Sequence, residues 1–143
     1  MSDRMLAAVL HNFNDMRVEQ TQIPRPSNLG EVLVRIKSCG FCATDYKAIR
    51  GIRKNVNFPF TPGHEPSGIV AEVGPGVTRF AVGDEVICQP IGYCGYCEHC
   101  RVGNTHYCKE AFTTGGDGAK DVWPGAFAEF MLTKESCLFH KPR

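Results

Sequence analysis

Residues 31–38 read Glu-Val-Leu-Val-Arg-Ile-Lys-Ser. Val32, Val34 and Ile36 alternate there with Leu33, Arg35 and Lys37. Successive side chains of a strand point to opposite faces, so this alternation predicts a half-buried strand with one mostly apolar face. The flanking sequence carries the same signature. Residues 5–11 and 16–23 are predicted strands joined through 12–15, and Pro24, Pro26 and Asn28-Leu29-Gly30 mark a loop before the central strand. Further along, 67–73 is a strand ending at Gly74-Pro75-Gly76, and 84–89, 126–133 and 137–140 are further short strands. Residues 44–50 lack Gly and Pro and predict one short helix, capped by Thr44 and stopped at Gly51. Residues 91–109 and 113–124 are Gly-rich and loop-like. With no repeat and no long amphipathic helix, the pattern predicts a mainly β chain folded as a small barrel-like sheet.

The 143 residues suit one domain with a real hydrophobic core. Sixteen Lys and Arg face fifteen Asp and Glu with no block of like charge. That balance speaks against an electrostatic grip on nucleic acid and against a basic membrane-binding surface. The apolar run 5–10 is too short for a secretory core or a membrane span, which predicts a cytoplasmic protein with reduced thiols. Eight cysteines under those conditions point to metal ligation or catalysis before disulfides. No phosphate-binding GxxxxGK[ST] loop occurs. The run from Gly74 to Arg79 begins like a dinucleotide fingerprint, but Arg79 stands where its third Gly belongs, so it reads as a β-turn.

Four cysteines share one loop with the spacing Cys94-x2-Cys97-x2-Cys100-x7-Cys108. Four thiolates this close can surround a tetrahedral Zn²⁺ at about 2.3 Å per Zn–S bond. Gly95 and Gly103 give the backbone freedom to curl around an ion, and Arg101 and Lys109 lie near enough to offset the charge of the thiolates. His99 and His106 are candidate donors to sulfur. A bacterial-type iron–sulfur cluster would want a shorter last gap followed by Pro, where this chain has Lys109. A shell filled by four protein ligands is closed, so this ion would hold a lobe over residues 91–110 and do no chemistry.

Two further segments carry ligand-type residues: Cys39-Gly40-Phe41-Cys42-Ala43-Thr44-Asp45 and Gly63-His64-Glu65-Pro66-Ser67-Gly68. By spacing alone each is weak. His64 reads equally as an ordinary loop histidine, and the Cys39/Cys42 pair as redox-active or simply buried. Taken in order, however, GFCATD, GHEPSGIV, the GPGV turn followed by VGDEV, and the four-cysteine loop closely resemble the N-terminal catalytic domain of the medium-chain zinc-dependent alcohol dehydrogenases. The resemblance runs from about Met5 to the end of the chain.

It implies a GroES-like, partly open β-barrel with short helices and a zinc-binding loop lobe. It also implies two Zn²⁺ sites. Cys42 and His64 would ligate a catalytic zinc, with Glu65 beside the metal as a further or alternate ligand. Thr44 would hydrogen-bond the substrate hydroxyl and relay its proton, and Asp45 would accept a hydrogen bond from His64. Cys94, Cys97, Cys100 and Cys108 would hold the structural zinc. Cys39, Cys88 and Cys137 match no ligand position and read as packing residues. The implied substrate is a small alcohol, polyol or carbonyl compound, and the implied hydride carrier is NAD(P) in the intact enzyme. Lys47 stands where several members carry a relay histidine. The resemblance further places the third zinc ligand, the nucleotide-binding domain and a returning C-terminal segment beyond Arg143. Residues 1–143 would then be about the first 40% of an enzyme, inactive alone and prone to self-association through uncovered apolar surface. The competing reading is a zinc-stabilised interaction module without catalysis; the missing basic stripe and the GHE and CATD segments weigh against it.

Overall fold

A computed structural model describes residues 3–115 and 121–142. The predicted central strand is β3 (Glu31–Gly40), the fourth member of a five-stranded sheet. Its neighbours are β4 (Glu65–Val73) and β9 (Phe130–Lys134), both antiparallel to it. β4 in turn pairs with β5 (Glu85–Cys88), and β5 with β10 (Leu138–His140). Val32, Val34, Val70, Val86, Met131 and Leu138 from these strands form the core.

The alternation in 31–38 holds only in its second half. Glu31 to Val34 are all buried, Leu33 included, whereas Arg35 and Lys37 are exposed. Leu33, paired with Leu132 on β9, thus lies inside although Arg35 and Lys37, its neighbours in pattern, are charged and exposed. Buried Glu31 is satisfied locally: its carboxylate accepts from the Asn28 N–H and the Asn28 Nδ2, each at 2.8 Å.

A separate two-stranded sheet is the hairpin of β1 (Arg4–Asn12) and β2 (Asp15–Gln22). Met5, Ala7 and Val9 face inward, 3–6% exposed. The other edge of β1 bonds to the chain leading into β9, with Ala8 N–H donating to Phe127 O at 2.7 Å and Glu129 N–H to Leu6 O at 3.1 Å. This stitching curls the sheets into the partly open barrel of the expected class. It also shortens the strand expected over 126–133, since 126–129 serve the β1 edge before β9 begins.

The remaining elements are small. The Gly74-Pro75-Gly76 turn forms as read, with Gly76 at a φ of 73° that favours glycine. The helix is α1 (Ala43–Ile49), and its N-cap is Cys42, not the expected Thr44. The cap is reversed in character: the Asp45 carboxylate accepts from the Cys42 N–H at 3.0 Å. Residues 91–109 stay largely irregular, with β6 (Ile91–Gly92) and two short helical turns, α2 (Glu98–Arg101) and a 3₁₀ turn at Thr105–Tyr107. The loop expected over 113–124 is partly ordered: β7 (Phe112–Thr114) pairs with β6 and, in parallel, with β8 (Asp121–Trp123). Residues 116–120 of that stretch lie outside the described residues. Among the described residues no helix is long and apolar enough to cross a membrane.

Leu138 is fully buried and its neighbour Phe139 is 47% exposed. Leu138→Ala is expected to lower the unfolding free energy by about 2–5 kcal/mol. Phe139→Ala should stay within about 0.5 kcal/mol. Urea denaturation of both variants checks the assignment of faces in β10.

Candidate metal centres

Two groups of ligand-type side chains converge among the described residues. One is Cys94, Cys97, Cys100 and Cys108; the other is Cys42, His64 and Glu65. In each, the potential ligand atoms all lie within 4.8 Å of one another.

The four-cysteine group is built by a single loop that turns on itself. Gly95 takes a φ of 81°, and α2 follows with Cys97 as its N-cap. Cys94 Sγ and Cys100 Sγ are 3.9 Å apart. Backbone amides are aimed at sulfur: Cys94 N–H donates to Cys108 Sγ at 3.3 Å and Cys97 N–H to Cys94 Sγ at 3.4 Å. The Cys97 thiol is drawn down to about 6, chiefly by the backbone N–H groups of Cys100 and Lys109, while desolvation pushes Cys100 up to about 12. Neighbouring amides therefore favour the thiolate form that a soft divalent ion requires. The expected histidine donors are used elsewhere. His99 Nε2 faces Glu98 at 3.5 Å, and the His106 ring packs at a tilt against Tyr107 with ring centres 4.3 Å apart. Lys109 pairs with Glu98 at 2.8 Å. α2 buries no residue, so the lobe has almost no apolar core of its own.

The second group is assembled from distant segments. Cys42 lies just after β3, at the start of α1, and His64 and Glu65 stand at the start of β4. Because β3 and β4 are paired, with Gly40 opposite Glu65, the two segments meet. A Cβ on Gly40 would meet the Glu65 carboxylate and push that flexible side chain from its present place. Buried Asp45 links both sides. Its Oδ2 accepts from the Cys42 N–H at 3.0 Å and its Oδ1 from the Gly63 N–H at 3.2 Å. Asp45 Oδ1 also lies 3.3 Å from His64 Nδ1, within ion-pair range. The ring is not aligned for a hydrogen bond, however, and Nδ1 remains a buried nitrogen without a hydrogen-bond partner. The opposite nitrogen, Nε2, lies 3.1 Å from Thr44 Oγ1.

Around these groups Thr44, Asp45, Ala48, Arg53, Phe60, His64 and Gly115 line a narrow cleft. Arg53, Phe60 and Gly115 carried no signal in the sequence, since none stands in a recognisable motif. Nor did the ring pair Phe41–Phe127, stacked at 5.9 Å beside the site. Only their tertiary neighbours reveal them. A larger cavity of about 630 Å³ lies between the β1–β2 hairpin and β9, lined by Met5, Val9, Phe60, Met131 and others. It contains none of the grouped cysteine and histidine side chains. Of the expected packing cysteines, Cys88 and Cys137 are buried and Cys39 is half-buried.

Residues 28–143 match the model of the alcohol dehydrogenase GroES-like domain, and the chain belongs to that family. It is 42% identical over 133 residues to an alcohol dehydrogenase of Geobacillus stearothermophilus, covering 90% of this chain and 39% of that protein. It is 33% identical over 141 residues to a sorbitol dehydrogenase of Bacillus subtilis, covering 96% of this chain and 38% of that one. A cobalt- and zinc-bound thermostable alcohol dehydrogenase of Pyrobaculum aerophilum superposes with a TM-score of 0.83 at 32% identity, covering 98% of this chain and 42% of that one. The chain therefore spans well under half the length of the relatives it matches.

Removing the Asp45 carboxylate leaves two amides without their acceptor. Asp45→Ala is expected to cost about 2–4 kcal/mol of stability even in the presence of a chelator. Asp45→Asn should recover part of this, because its amide oxygen can still accept one of the two bonds. Urea unfolding of both variants without metal measures it.

Proposed function

We propose that this chain is the metal-binding catalytic domain of an NAD(P)-dependent dehydrogenase acting on a small alcohol, polyol or the corresponding carbonyl compound. The observation that carries the reading is the convergence of a thiol, an imidazole and a carboxylate, Cys42, His64 and Glu65, beside the hydroxyl of Thr44. A mixed S, N and O donor set suits zinc, and three protein donors leave a fourth position for a reactant. A zinc bound there supplies Lewis acidity, which stabilises the alkoxide form of the alcohol from which hydride leaves.

The chain's own residues carry the remaining work. The Asp45 carboxylate, 3.3 Å from His64 Nδ1 though not aligned for a hydrogen bond, electrostatically favours a proton on that nitrogen, which would leave Nε2 for the ion. Were Nε2 to hold the ion, the Thr44 hydroxyl, now 3.1 Å from that nitrogen, would be free to face a substrate. It then stands at the cleft to take the proton of the substrate hydroxyl and pass it outward. Phe60 and Ala48 supply apolar lining to the cleft. Cys94, Cys97, Cys100 and Cys108 form a separate, closed zinc centre over residues 91–110 that shapes the lobe without reacting.

Support for the reading comes from the family, from the cobalt- and zinc-bound structural relative, and from the chemistry of the two donor sets. Two zinc ions per chain are expected, falling to one in Cys42→Ala. Loaded with Co²⁺, the wild-type chain should show visible bands that shift when ethanol is added, and Cys42→Ala should lose that shift while keeping the bands of the four-thiolate centre. A single ion with no response to alcohol would instead make this a zinc-stabilised interaction module. Chelation is expected to open residues 91–110 to protease first.

A further inference from the structure

We infer that β2 is a self-pairing edge, at which a second copy of this chain adds its own β2 antiparallel to extend the β1–β2 sheet across a twofold axis. The backbone directions of the hairpin lead there. On β1, the N–H or C=O groups of Leu6, Ala8 and Leu10 bond away from β2: Glu129 N–H donates to Leu6 O, Ala8 N–H to Phe127 O, and Leu10 N–H to Phe60 O. Met5, Ala7 and Val9 must therefore bond to their partners on β2, Thr21, Glu19 and Arg17. On β2 the even-numbered residues then direct their backbone groups outward. Arg4 Nη2 engages the Gln20 carbonyl at 2.6 Å. Among the described residues, the N–H and C=O of Met16 and Val18 and the N–H of Gln20 have no partner on that edge.

An eight-residue strand with an open edge is a template for pairing with another chain. Its side chains specify which. A twofold axis through Val18 pairs Val18 with Val18 of the second copy, as a doubly hydrogen-bonded pair whose groups already point outward. The same register sets Arg17 opposite Glu19 of the second copy, twice, and Met16 opposite Gln20. Cross-strand neighbours of opposite charge are favourable, and this register supplies two such pairs from one sequence. A register centred on Arg17 or Glu19 would set like charges face to face and would aim their backbone groups back into the hairpin. The outward face adds apolar cover to the pair: Val18 is 74% exposed and Met16 and Leu6 are each 44% exposed. β2 has no Pro and no bulge at Met16–Gln20, and the irregularity of the hairpin lies on β1, between Leu10 and Asn12. Its charges, Arg17 and Glu19, stand on the face of Val9 and Ala7 and already pair with Asp15 and His11, so the contacts with the second copy add to pairs within each chain. The pairing does not rest on the dehydrogenase reading.

Sedimentation velocity of the 143-residue chain over a wide concentration range tests it. A monomer–dimer equilibrium is expected, with amide exchange at Met16, Val18 and Gln20 slowing as the dimer fills. Arg17→Glu should raise the dissociation constant roughly tenfold or more, as two favourable cross-strand pairs become repulsive. Adding Glu19→Arg to Arg17→Glu exchanges the charges and should restore most of the affinity. Both positions lie at or near the surface, and circular dichroism checks that the variants fold. A chain that stays monomeric at every concentration overturns the proposal. So does a dimer indifferent to Arg17→Glu, or one that the double exchange fails to rescue, because either would place the contact elsewhere.

Discussion

Asp45 is 3% exposed, and its two oxygens accept from the Cys42 and Gly63 amides while lying beside His64 Nδ1. A buried carboxylate is tolerated only where it is well partnered. Here its partners belong to two segments eighteen or more residues apart, the start of α1 and the lead into β4. Satisfying this one group therefore fixes the separation of Cys42 from His64. The same bond that caps a seven-residue helix sets the width of the candidate metal site. Local capping and tertiary placement cannot be altered independently at this position.

The Gly63 side of that arrangement depends on backbones that pass unusually close. A Cβ on Gly115 or on Gly125 would collide with Gly63 O, and a Cβ on Gly63 would collide with Phe127. Ala126 N–H donates to Gly63 O at 2.9 Å and Phe127 N–H to Pro62 O at 3.0 Å. The stretch 125–127 thus braces the chain just before His64, and the same stretch hands Phe127 O to Ala8 on β1. The hairpin layer, the approach to β9 and the imidazole share one set of close contacts. Glycine is required here by space, and at Gly63 and Gly115 by positive φ as well.

The strands were legible because their residues are β-branched, apolar and bounded by Gly and Pro, and those signals are local. Burial was less so. Leu33 sits among charged neighbours, and only its tertiary setting, in a strand flanked by β4 and β9, makes it a core residue. The helix cap misled for a related reason: Thr44 has the favoured cap chemistry, but Asp45 reaches back to the Cys42 amide and moves the start of α1 by two residues. β7 and β8 stayed hidden because three-residue strands hold no periodicity, and their parallel pairing comes from contacts across the loop. Motif likeness covered what periodicity could not, bringing Cys42, His64 and Glu65 to one place before any geometry was seen.

The two candidate centres differ in how their ligands are drawn from the chain, and that difference governs what each asks of a metal. Four cysteines within fifteen residues can be read from spacing, since closing so short a loop costs little entropy. Yet the segment that carries them buries little: α2 hides no side chain, and Tyr96 and Val102 are each 72% exposed. Such a lobe has too little apolar contact to hold one conformation, so under the zinc reading the ion stands in for a core. Cys42, His64 and Glu65 are in the opposite position. The β3–β4 pairing and the Asp45 carboxylate hold them together with or without an ion. Under the zinc reading, a preformed site of that kind need spend none of its ligand geometry on folding, and its three protein donors would leave a fourth position for a reactant.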